Sequence, residues 1–148
     1  MVETSVKYPI GIQDFESLIT DGYVYVDKTA ILYKLINSGK YYFLSRPRRF
    51  GKSLTLSTLK AFFEGKRHLF EGLAISHMEK EWRKHPVFLF SFARFEKSDK
   101  ESLEKLIEFH LSQWEKIYGV SADGQNFTNR FAALVQKSYQ TTGERAVY

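Results

Sequence analysis

The sequence predicts an α/β domain with a mainly parallel sheet, and three observations predict it. The β-rich run Lys40–Ser45 leads into a basic loop that opens onto helical apolar spacing over Ser53–Phe63. Val87–Phe92 is an almost continuous apolar run, started by Pro86 and bounded by charge, the pattern of a strand buried on both faces. Ala146-Val147-Tyr148 reads as the start of a further strand, and helical segments separate these runs. The 148 residues suffice for one domain with one core. They divide into a lead-in, 1–27, and an α/β core, 28–148.

Each element has a local reason. Tyr8–Phe15 opens with turn punctuation, and Asp14 caps a short helix to Ile19. Asp21-Gly22 is a turn, and Tyr23–Val26 is β-prone. Asp27 is a good N-cap for a helix to about Asn37, with Ala30, Ile31 and Leu35, flanked by Tyr33 and Ile36, on its buried stripe and Gly39 closing it as a C′ residue. Leu54, Leu56, Leu59, Phe62 and Phe63 give the helix after the basic loop a wide apolar surface, which Gly65 and Lys66-Arg67-His68 end. Leu69–Leu73 is a compact turn pinned by apolar anchors. Ser98 or Asp99 caps a long helix to about Tyr118, with Leu103, Leu106, Ile107, His110, Leu111 and Trp114 on one side. A last helix, Phe127–Tyr139, packs Phe131, Leu134 and Val135.

Composition excludes several classes. Hydrophobic residues at 43% and charged residues at 26% indicate a globular chain, not a disordered one. Without cysteine there is neither a disulfide framework nor a thiolate metal site. No apolar run approaches a membrane span and no signal-peptide core follows the start, so a cytoplasmic location and no membrane partner are the default expectation. From Lys28 through Phe63 there is no Asp or Glu, while Lys28, Lys34, Lys40, Arg46, Arg48, Arg49, Lys52 and Lys60 place +8 there. The whole chain carries +5, which leaves −3 elsewhere. Such a field attracts a polyanion, either a nucleotide or a nucleic-acid backbone.

The basic loop carries the chemistry. Arg46-Pro47-Arg48-Arg49-Phe50-Gly51-Lys52-Ser53 reads as G-x-x-x-x-G-K-[ST] with the first glycine replaced by Arg46. Gly51 lets the backbone approach a phosphate, Lys52 reaches the β- and γ-phosphates and is the catalytic candidate, and the Ser53 hydroxyl ligates Mg²⁺. The candidate nucleotide-binding set is Arg46, Pro47, Arg48, Arg49, Phe50, Gly51, Lys52, Ser53 and Leu54, with ATP and Mg²⁺ as the ligands. A nucleic-acid-binding module that uses Arg46, Arg48, Arg49 and Lys52 on phosphates is the alternative, and a ligand-free scaffold is the third reading. Tyr41, Tyr42 and Phe43 beside this loop suit a buried strand better than a stacking platform. Glu101, Glu104 and Glu108, near Lys97, Lys100 and Lys105, read as a solvated, salt-bridged helix face. His68, His77, His85 and His110 are scattered without metal spacing.

Several runs in order carry a resemblance. Tyr8-Pro9-Ile10-Gly11-Ile12-Gln13-Asp14-Phe15, Tyr25-Val26-Asp27-Lys28-Thr29, Arg46–Leu54, Phe62-Phe63, Leu69–Leu73 and Pro86-Val87 resemble the bacterial predicted AAA-ATPase family over the first two-thirds of the chain. The resemblance makes Arg46 a family trait. It implies a P-loop NTPase-like, three-layer α/β domain, of which these residues are the N-terminal part, and an ATPase as the parent protein. It also implies a segment ahead of the nucleotide site in which Ile10 and Phe15 either flank an adenine ring or pack in the core. Many members carry a restriction-endonuclease-like domain further along, so nucleic acid is an expected partner of the full-length protein. The family's acidic, Walker B type strand holds Mg²⁺ and orients water. The chain stops before it, so hydrolysis is not expected here. The neighbours of the loop's strand then come from later sequence, and open sheet edges invite self-association.

Overall fold

The computed structural model describes residues 6–92, 100–121 and 126–148, in two compact units, Met1–Arg83 and Lys84–Tyr148. Six α-helices and one 3₁₀ turn make up the regular structure among the described residues.

In the first unit, α1 (Phe15–Thr20) starts where Asp14 accepts the Ser17 N–H at 2.8 Å, as its cap position predicts. The cap of α2 (Thr29–Ser38) departs slightly from expectation. Lys28 occupies the N-cap position, and the Asp27 carboxylate reaches past it to the Thr29 N–H at 2.8 Å and the Thr29 hydroxyl at 2.6 Å. Its second oxygen accepts the Ala74 N–H at 2.7 Å, where α4 (Ala74–Met78) begins. One carboxylate thus ties two helix starts together. Burial pushes its pKa up, but the Thr29 hydroxyl and the Ala74 and Thr29 N–H groups outweigh that and hold it below the usual value. Gly39 ends α2 in an extended conformation, not the left-handed one expected of a C′ glycine. A Cβ there would stand 2.9 Å from the hydroxyl at the tip of the Tyr42 side chain, which donates to the Leu35 carbonyl at the end of α2 and would have to shift.

The basic loop enters α3 (Lys52–Phe63). Gly65, at φ 69°, closes it, with the Lys66 N–H on the Ala61 carbonyl at 3.1 Å and the Gly65 N–H on the Phe62 carbonyl at 3.0 Å. The 3₁₀ turn Arg67–Phe70 then drives Leu69 and Phe70 inward. The core of this unit is Phe15, Ala61, Phe62, Leu69, Phe70, Ile75 and Trp82.

In the second unit, α5 (Lys100–Tyr118) packs on α6 (Phe127–Thr142) around Phe88, Leu111 and Leu134. Ser98 and Asp99, the expected caps of α5, lie outside the described residues.

The predicted three-layer α/β domain with a parallel sheet is overturned. Among the described residues there is no strand, and β pairing is confined to two isolated parallel bridges, Lys7 to Tyr23 and Val87 to Val147. Val87–Phe92 makes contact with Val147 only at its start, where the Phe88 N–H meets the Val147 carbonyl at 2.8 Å. Residues 40–45 make no backbone–backbone hydrogen bond among the described residues. Extended backbone becomes a strand only when another segment supplies its ladder, and here none does. The burial expected of Tyr41–Phe43 fails for the same reason: Tyr41 is 86% and Phe43 94% exposed.

Candidate functional site

The loop is built from two left-handed residues. Arg49 sits at φ 67° and Gly51 at φ 74°, with exposed Phe50 between them. Gly51 is the N-cap of α3 and brings no side chain to cap it. The first backbone bond of the helix is Thr55 N–H to the Gly51 carbonyl at 2.9 Å. The N–H groups of Lys52, Ser53 and Leu54 find no acceptor among the described residues. Free donors at the start of a twelve-residue helix, on the positive end of its dipole, are what an anion seeks.

Lys52 folds back across this loop. Its ammonium donates to the Pro47 carbonyl at 2.8 Å and to the Arg46 carbonyl. An ammonium has three donors, so one is left for a ligand oxygen. Arg46, Arg48 and Arg49 are exposed and have no ion-pair partner among the described residues. The far end of α3 is different. There Lys60 lies 3.7 Å from Glu64, and Lys66 lies 3.2 Å from Glu64 and 2.5 Å from Glu16. Hydrogen bonding to Glu16 raises the Lys66 pKa, against the cost of burial. Positive charge is therefore neutralised at the C-terminal end of α3 and left open at the loop.

The structure places the expected residues on one short stretch, with different exposures. Arg46, Pro47, Arg48, Arg49, Phe50, Gly51 and Ser53 are exposed, Lys52 is half-buried, and Leu54 turns toward the core. The Ser53 hydroxyl, one residue into α3, has no hydrogen-bond partner among the described residues. It is a hard oxygen donor open to solvent, which fits Mg²⁺, an ion that keeps several waters and takes its other ligands from substrate phosphates. Among the described residues no three of His, Asp or Glu group to hold a metal.

Two residues escaped the sequence reading. Ser57, one turn beyond Ser53, bonds across to the lead-in. Arg130 is buried against Glu108 and Glu115, whereas Glu108 was assigned to the solvated face. The signal for Arg130 was present: Glu108 and Glu115 are seven apart and share a helix face. The pairs Glu101–Lys105 and Glu104–Lys100 do form on the surface.

A family model described as "Predicted AAA-ATPase" matches residues 9–148. The chain belongs to the predicted AAA-ATPase family. It is 43% identical over 143 residues to an "Uncharacterized protein in vnfD 5'region" of Azotobacter chroococcum mcd 1. That match takes in 95% of this chain but spans only 28% of the relative. No solved structure matches. In this AAA-ATPase family chain no helix among the described residues is long and apolar enough to cross a membrane.

Proposed function

We propose that this chain binds ATP at Arg46–Ser53, with Mg²⁺ between Ser53 and the phosphates. The observation that carries the reading is Lys52 held over an uncapped helix start whose N–H groups are free. Gly51, Lys52 and Ser53 line the backbone cradle, and Arg46, Arg48 and Arg49 add the field that draws in a polyanion. The hydroxyl of Ser53 supplies one oxygen to the metal, which offsets phosphate charge when bound. Lys52 gives its third donor to a phosphate oxygen. A triphosphate site favours a cytoplasmic location, where that ligand is abundant.

Calorimetry with Mg²⁺ and ATP tests this directly. Lys52→Ala is expected to weaken binding by about 1.5–3 kcal/mol, the scale of a charge-assisted hydrogen bond. Equal binding by both proteins would remove the loop from the account. The same preparations are expected to show no turnover of ATP above the Lys52→Ala control. Phosphoryl transfer to water needs a group that orients the attacking water. Glu16 and Glu64 are held by Lys66 at the other end of α3, about one helix length from the loop (~15 Å for ten residues). Sustained turnover by this chain would show that an acidic group reaches the phosphates after all.

A second reading has its own observation. Exposed Tyr41, Phe43 and Phe50 stand in sequence beside Arg46, Arg48 and Arg49, a pairing of aromatic faces with cations that suits single-stranded nucleic acid. Its signature is binding that falls steeply with salt, with a slope flattened by Arg48→Ala plus Arg49→Ala and indifferent to ATP.

A further inference from the structure

We propose that Thr55 is a positioning residue of the phosphate loop: its hydroxyl holds the peptide between Gly51 and Lys52 with the N–H turned outward, to an incoming phosphate. This role rests on the nucleotide reading above and falls to a residue outside Arg46–Leu54.

Every N–H offered to an anion leaves a carbonyl that must go elsewhere, because an oxygen turned toward a phosphate would repel it. The Arg46 and Pro47 carbonyls are occupied by the Lys52 ammonium. The Gly51 carbonyl is occupied twice by Thr55, through its N–H at 2.9 Å and its hydroxyl at 2.9 Å. Both bonds draw that oxygen along α3. In a trans peptide the C=O and the N–H that follows it point opposite ways, so the Lys52 N–H is turned out of the helix start. It finds no acceptor there among the described residues.

The hydroxyl bond matters because of the residue it holds. Gly51 stands at φ 74° and ψ 19° and brings no side chain to cap α3. Glycine has the widest backbone freedom of any residue, so its peptide with Lys52 is the one in the loop most able to turn over. Thr58 makes the same kind of bond to the Leu54 carbonyl at 2.8 Å, and there it is ordinary back-bonding within a helix. Leu54 lies inside α3, where helical neighbours on both sides already fix its peptide. Gly51 is the boundary residue, and without the hydroxyl a single helical bond would restrain its carbonyl. Threonine suits the task. Its β-branch confines the hydroxyl to few rotamers, one of which reaches the carbonyl four residues earlier.

Inorganic tripolyphosphate and Mg²⁺–ATP, titrated into the wild-type chain, Thr55→Val and Thr55→Ser, test this, with the Lys52 amide followed by NMR. Thr55→Val keeps the shape and removes the hydroxyl. It is expected to weaken both ligands by the same factor, roughly three- to tenfold, the worth of one hydrogen bond. Thr55→Ser restores the hydroxyl and is expected to bind both close to the wild-type level. The Lys52 amide proton should move downfield on addition of tripolyphosphate in the wild type and in Thr55→Ser, and move less in Thr55→Val. Wild-type affinity for both ligands in Thr55→Val would overturn the proposal and leave the phosphate loop standing. An equal loss in Thr55→Val and Thr55→Ser, or faster amide exchange throughout α3 in Thr55→Val, would make Thr55 a support of the helix and not a positioner. A wild-type chain that binds neither ligand would sink the proposal together with the nucleotide reading.

Discussion

Arg130→Met is expected to destabilise the second unit by about 2–4 kcal/mol, the scale of removing one partner from a buried ion pair. Arg130 is buried between α5 and α6. Its guanidinium donates to Glu115 through two bonds of 2.8 Å, to Glu108 at 3.0 Å, and to Glu108 again through a second nitrogen. Methionine keeps the volume and leaves two carboxylates facing each other, with Glu115 well buried. Hydrogen–deuterium exchange reads the effect where it arises: α5 and α6 should exchange faster while α1–α4 do not change. Unaltered exchange in α5 and α6 would mean that the triad adds nothing. Removing all three charges with Glu108→Leu and Glu115→Leu should recover much of the loss, because no unpaired carboxylate remains. The sign of the pH effect follows from Glu108. Hydrogen bonding to Arg130 holds its carboxyl below the ordinary value of 4.5. Its contribution is complete above that value and is lost as pH falls through the depressed pKa. The Arg130→Met chain should therefore show a shallower acid limb.

Phe70→Ala should cost the first unit about 3–5 kcal/mol, the range for emptying a buried aromatic site. Phe70 is fully buried, and its ring centroid lies 4.8 Å from Phe15, 5.2 Å from Trp82 and 6.3 Å from Phe62. It joins α1, α3 and the segment after α4, so no neighbour can collapse into the space without moving a helix. Thermal unfolding together with exchange in α1–α4 measures the loss. Phe70→Leu, which refills most of the volume, should recover more than half of it. Retention of full stability by Phe70→Ala would show that the aromatic cluster relaxes far more than close packing allows.

The helices were legible because their causes are local. Asp14 before Phe15, Gly65 after Phe63 and the apolar spacing of α5 and α6 act within a few residues of one another. The G-K-S loop was legible for the same reason, since its donors are consecutive in the chain. Strands failed because their hydrogen bonds belong to other segments. Lys40–Ser45 has the composition of a strand and lacks a ladder, and Val87–Phe92 finds one only at Val147. Ser57 and Arg130 were missed on the same ground. Their partners lie 44 and 22 residues away, at Gln13 and Glu108; the spacing of Glu108 and Glu115 marks a shared acidic face on α5, but nothing local to Ser57 or Arg130 names the distant segment that meets it. The α4 helix is too short for a pattern to form at all.

Arg49 occupies a backbone conformation that glycine or asparagine adopts with less strain. An arginine held there spends on the order of 1 kcal/mol of folding free energy at one residue of a loop that buries almost nothing. That places the loop on the ordinary line of exchange between robustness and recognition, where a protein keeps a charge that its backbone resists. Substitutions chosen only to make the chain more robust would turn first to Arg49, and would there remove one of the exposed cations of the loop.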